Sequence, residues 1–111
     1  MANVYKNIQA IITSSASDDP MYTSPDATPS IVKTIKLYNI HGSNLVVDVK
    51  VYNASDATDY DYETITVNTL NGVDLLTFNN ILILEPGDIL KMQTPTTDVI
   101  NMTAAVLQIS R

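Results

Sequence analysis

Residues 44–53 read NLVVDVKVYN, and their apolar and polar side chains alternate almost one for one. In an extended chain successive side chains point to opposite faces. Leu45, Val47, Val49 and Val51 therefore share one face, while Val46, Asp48, Lys50 and Tyr52 share the other. This is the pattern of a strand with one dry face and one wet face.

Working outward, the same period recurs. Upstream, IVKTIKLYNI (31–40) sets Ile35 and Leu37 against Thr34, Lys36 and Tyr38. The link HGSN (41–44) offers Gly42, which takes positive φ cheaply, and Asn44, which tolerates turn geometry. The two strands are therefore expected to pair as a hairpin. Downstream, ETITVNTL (63–70) turns Ile65 and Val67 inward, and Asn71-Gly72 is a turn signal. Further strands are expected at VDLLTFNN (73–80), ILIL (81–84), DILKMQ (88–93) and VINMTAAVLQIS (99–110), with VYKNIQAIIT (4–13) in front. Nowhere do apolar residues recur at helical spacing over ten positions. The expected fold is all-β: a single antiparallel β-sandwich or jelly-roll-like domain over residues 1–111, with seven or eight short strands.

Two segments break the pattern. Residues 14–30, SSASDDPMYTSPDATPS, hold three prolines among Ser, Thr and Asp, and are expected to form an extended loop or arm. Met21, Tyr22 and Pro25 on that arm are the expected contacts with a neighbouring protein. Residues 53–63, NASDATDYDYE, read as an acidic loop. The corner EPGD (85–88) has a clear turn logic. Pro86 presets φ, Gly87 accepts positive φ at the third position, and Asp88 can bond nearby amides. Before it, Ile81, Leu82, Ile83 and Leu84 make a strand apolar on both faces. One face is covered by the sandwich, and the other calls for cover by a neighbouring subunit.

Composition narrows the function classes. Twelve acidic residues against six basic ones give a net charge of −6, with nothing to neutralise a row of phosphates, so nucleic acid is not an expected partner. Charged residues are only 16% of the chain, below the ~25% of ordinary soluble domains. Without cysteine there is no disulfide. No apolar run reaches the ~18 residues of a membrane span, and MANVYKNIQAII lacks the pattern of an export signal, so a soluble chain with no membrane partner is expected.

Sites of chemistry are scarce. Asp56, Asp59, Asp61 and Glu63 alternate like oxygen ligands, but the loop lacks the glycine and spacing of a calcium-binding loop. With Tyr60 and Tyr62 they form a possible ligand loop, and a solvated hairpin tip is the plainer reading. The single His41 cannot build a multi-histidine metal site, and no Gly-x-Ser-x-Gly elbow supplies a nucleophile. Three scattered glycines cannot cradle a phosphate. No catalytic residue, cofactor or metal is therefore expected. Tyr22, Tyr38, Tyr52, Tyr60 and Tyr62 could offer stacking faces to a sugar, with ordinary cross-strand packing as the alternative.

The order of MYTSPDATPSIVKTIKLYN (21–39), HGSNLVVDVKVYN (41–53), ILILEPGDILKMQ (81–93) and AAVLQIS (104–110) resembles small all-β virion structural proteins of tailed bacteriophages. The acidic stretch DATDYDYE lies outside that pattern. The resemblance implies a non-enzymatic structural protein located in the virion and assembled in the host cytoplasm. Its foremost expected role is capsid decoration or cement. The alternatives are a neck or tail component, or a receptor- or glycan-binding module of a fibre. The implied partners are further copies of the chain, as a homo-oligomer such as a trimer, and the major capsid protein or other virion proteins.

Overall fold

The computed structural model describes residues 3–12, 19–76, 81–94 and 100–109, and in these it contains strands and turns but no helix. Nine strands are present: β1 (Val4–Ile12), β2 (Asp19–Thr23), β3 (Ser30–Asn39), β4 (Leu45–Asn53), β5 (Thr58–Val67), β6 (Gly72–Leu76), β7 (Leu82–Leu84), β8 (Ile89–Gln93) and β9 (Ile100–Gln108). The first sheet runs β1-β9-β3-β6, with β7 also paired to β3; the second runs β2-β8-β4-β5. Every pairing is antiparallel. Strands β6 and β7 share one side of β3, opposite residues 35–38 and 30–32 respectively. Counted as one broken strand, they leave eight positions that alternate between the sheets except at the β4–β5 hairpin, whose strands share the second sheet, as in a jelly roll.

The alternating stretch behaves as its pattern demands. Leu45, Val47 and Val49 are buried, Val51 is half-buried, and Val46 and Asp48 are exposed. Facing them across the sandwich are Val32, Ile35 and Leu37 of β3 and Ile100, Met102, Ala104 and Val106 of β9. Val32 and Ile35 both reach the core although three residues apart. A bulge at Lys33 absorbs the extra residue and restores the phase.

One expectation of connectivity is corrected. Strands β3 and β4 do not form a hairpin, because they lie in different sheets. The buried Asn39 holds the crossing: its amide donates to the carbonyls of Ser43 and Val67, and its oxygen accepts the His41 amide. Gly42 does not need positive φ there. The turn signal at Asn71-Gly72 likewise joins strands of different sheets, and Gly72 opens β6 itself. A side chain at Gly72 would meet the Lys36 Cε at 2.9 Å, the far end of a flexible side chain that can move aside.

The arm at 14–30 is also corrected from Asp19 onward; residues 13–18 lie outside the described residues. Asp19–Thr23 pair with β8 as an edge strand despite Pro20, since an edge strand can spare a donor. Met21 sits in a bulge of that strand and turns into the core, 9% exposed.

The Pro-Gly-Asp corner carries the chain from β7 in the first sheet to β8 in the second. Gly87 has φ +88°, and the Asp88 amide donates to the Glu85 carbonyl at 3.0 Å, closing the turn. The corner also exchanges two backbone bonds with the β2–β3 link: Ser24 N to Asp88 O and Gly87 N to Ser24 O, both 2.9 Å. The buried Asp88 carboxylate accepts the Ala54 and Glu85 amides, each at 3.0 Å. One turn thus ties together β2–β3, β4–β5 and β7–β8.

Candidate functional site

Two exposed surfaces hold part of the residues singled out by sequence: the outer face of the first sheet and the end of the β4–β5 hairpin. On the first, the register places Tyr5 opposite Leu107, Leu107 opposite Ile31, and Ile31 opposite Ile83. These four side chains form one apolar row across β1, β9, β3 and β7, on the face turned away from the core. Tyr5 is 69% and Ile83 58% exposed, while Leu107 and Ile31 are half-buried. The ammonium of Lys33 lies 5.6 Å from the Tyr5 ring centroid, a cation–π contact at the edge of the row.

The strand expected to be apolar on both faces divides here. Leu84 is fully buried and Leu82 half-buried, whereas Ile81 and Ile83 are exposed. Among the described residues, therefore, only one side of this strand is covered. Tyr5, Ile31 and Leu107 were not singled out by sequence. The signal for them was the same one that flagged 81–84: strands carrying apolar residues at both parities.

The expected arm contacts part company. Met21 is core and unavailable to a neighbour without unfolding β2. Tyr22 is half-buried; its hydroxyl is within 2.8 Å of the Ser30 hydroxyl and accepts a 2.8 Å bond from the Gln108 amide. Ser30 in turn bonds the buried Ser24 hydroxyl at 2.9 Å, so Tyr22 serves an internal polar network. Pro25 alone is exposed, at the turn after β2.

The acidic stretch is a strand, not a loop. Strand β4 runs to Asn53, the turn covers residues 54–57, and Asp59, Tyr60, Asp61, Tyr62 and Glu63 all belong to β5. The alternation DYDYE is a strand period that its acidity masked. Tyr62 occupies a bulge, since Val49 pairs with Glu63 and Lys50 with Asp61. At the bulge is a depression of about 530 Å³ lined by Asp48, Lys50, Asp61, Tyr62, Glu63 and Thr64, among others.

The carboxylates are engaged separately. Asp59 pairs with Lys91 at 3.1 Å, Lys91 lies 5.0 Å from the Tyr52 ring centroid, and Asp56 accepts the Tyr60 hydroxyl at 2.6 Å. Asp48 accepts the Thr64 hydroxyl at 3.1 Å. Among the described residues, no group of three His, Cys, Asp or Glu side chains could hold a metal ion. The hydrogen bond to Asp56, helped by that carboxylate's charge, raises the Tyr60 pKa above its ordinary value. Burial, then the charge of Glu63, does the same for Tyr62. His41 accepts the Ser43 amide through Nδ1 at 3.2 Å, as a turn residue.

The tyrosines do not gather into one platform. Tyr38 lies on the first sheet, Tyr52, Tyr60 and Tyr62 on the second, and Tyr22 on the half-buried network at the β2 edge.

No protein-family model matches the chain, and no curated protein does. Among solved structures it is similar to a chain from the Bacillus endospore appendages, which form disulfide-linked pili. The TM-score is 0.57 at 15% identity, over 97% of this chain and 88% of that one. It is also similar to a chain of the T13 IBDV viral particle, with a TM-score of 0.43 at 14% identity, over 96% of this chain and 31% of that one. At such identities the likeness to the appendage chain is one of fold.

Proposed function

We propose that this chain is a non-enzymatic structural subunit of an assembled particle, and specifically a decoration or cement protein on the head of a tailed-phage virion. The observation that carries the reading is the uncovered apolar row Tyr5–Leu107–Ile31–Ile83 on a sheet whose opposite face packs the core. The motif resemblance supplies the virion; the row supplies a surface that gains from contact with other protein.

Magnitudes favour a lattice. Covering the exposed parts of these four side chains contributes about 1 kcal/mol each, about 4 kcal/mol in all. A free micromolar contact needs about 8 kcal/mol. One such joint is weak, and many copies bound side by side on a capsid hold through high effective concentration. The pili of the appendage chain are disulfide-linked; this chain has no cysteine, so its joints are non-covalent.

The test is immunogold labelling, with antibody to this chain, of particles released by the cells that make it. Regular label over heads is expected. Label confined to tails moves the subunit to the neck or tail, and particles without label overturn the structural role.

A further inference from the structure

The two sheets have four edges, and three are blunted against pairing with another chain. Strand β2 has five residues, a proline and a bulge. Strand β5 carries Asp59, Asp61 and Glu63 and bulges at Tyr62. The β6/β7 edge is split into pieces of five and three residues. Short length, proline, charge and bulges are the ordinary defences of an exposed edge. Strand β1 has only one of them, the single charge of Lys6. Its nine residues pair with β9 in unbroken register from Val4–Gln108 to Ile12–Ile100, with no proline and no acidic residue. Alternate residues of β1 turn their N–H and C=O groups away from β9.

The sequence of β1, VYKNIQAII, is nearly symmetric about Ile8. Val4 mirrors Ile12, Tyr5 mirrors Ile11, and Asn7 mirrors Gln9; only Lys6 against Ala10 is unlike. We infer that β1 pairs antiparallel with β1 of a second copy of this chain, about a two-fold axis through Ile8, joining two five-stranded sheets into one. In that register Tyr5 faces the partner's Ile11, Asn7 faces the partner's Gln9, and the half-buried Ile8 is covered by the partner's Ile8.

Register follows from the faces. A two-fold axis normal to the sheet must set outer-face residues against outer-face residues, so the axis passes through a residue and not between two. Moving it to Asn7 sets Lys6 against the partner's Ile8, and moving it to Gln9 sets Lys6 against the partner's Ile12. The axis through Ile8 keeps like against like at every pair except Lys6 and Ala10.

Charge points to the same occupant. Two chains of net charge −6 repel, so a self-contact belongs where carboxylates are absent. Strands β1 and β9 contain no acidic residue, and β1 contributes Lys6. The inference goes beyond the proposed role, because it holds for any particle or for none.

Light scattering over a range of concentrations tests it. The wild-type chain is expected at twice the monomer mass. Asn7→Glu with Gln9→Glu brings four carboxylates together at the axis, and Asn7→Lys with Gln9→Lys brings four ammonium groups. Each variant alone is expected at monomer mass with an unchanged circular dichroism spectrum, since both side chains are exposed. Mixed in equal amounts, the two are expected to return to dimer mass. A monomeric wild type overturns the inference. So does a wild-type oligomer whose mass neither variant changes, or a mixture that stays monomeric.

Discussion

Asp88→Ala is the most exacting test of the corner. The carboxylate is 7% exposed and accepts two backbone amides, Ala54 and Glu85, each at 3.0 Å. A hydrogen bond to a charged acceptor contributes about 1.5–3 kcal/mol net. Both donors belong to exposed residues, so water recovers part of the loss. The expected destabilisation is about 2–4 kcal/mol. At about 4 °C per kcal/mol for a chain of this length, the melting temperature falls by about 8–16 °C. Thermal unfolding followed by circular dichroism measures it, with Asp48→Ala as control. Asp48 is likewise a carboxylate with a bonded partner, but it is exposed and accepts the Thr64 hydroxyl, so its loss is expected within about 0.5 kcal/mol. An Asp88→Ala variant as stable as the Asp48 control would refute the claim that this side chain ties the three links together.

Three further outcomes are expected. Gly87→Ala forces a side chain onto φ +88° and within 3.1 Å of the Ala54 Cβ, and should cost about 1–2 kcal/mol by denaturant unfolding. Ile83→Ser on the outer row should leave stability within about 0.5 kcal/mol, whereas Leu84→Ala, one residue on and fully buried, should cost about 2–5 kcal/mol. The Tyr60 phenol, raised by its bond to Asp56, should ionise at higher pH than the free side chain, and Asp56→Asn should bring it back toward 10.0 in an ultraviolet titration. The sign follows from the neutral phenol being the donor. The bond persists below the unfolded pKa and is lost as pH rises through the folded one.

What the sequence made legible was local. Period-two alternation located β4, β3 and β9, and the turn chemistry of Pro86, Gly87 and Asp88 gave the corner its geometry. What it hid was which strands meet. Gly42 and Asn44 report a bend, and a bend looks the same whether the next strand pairs beside the last or crosses to the other sheet. The decision lies with Asn39, whose amide reaches Val67, 28 residues away. Strand β2 was obscured by Pro20, and β5 by its acidity, because edge strands carry the residues that sequence patterns associate with loops. The row on the outer face escaped for a related reason. Tyr5, Leu107 and Ile31 are distant in sequence, and only the pairing of β1, β9 and β3 makes them neighbours.

The position of β9 bears on how the chain is made. This strand lies between β1 and β3, and among the described strands it is the only partner of β1. During synthesis β1 emerges first and waits for residues 100–108 before it has anything to pair with. Strands β3, β6 and β7 can pair as they emerge, but β1 cannot join the first sheet until β9 is made. That closure brings residues 4–12 to residues 100–108 in one late, long-range step, which slows folding. Until then β1, the least protected strand, stands open to other chains.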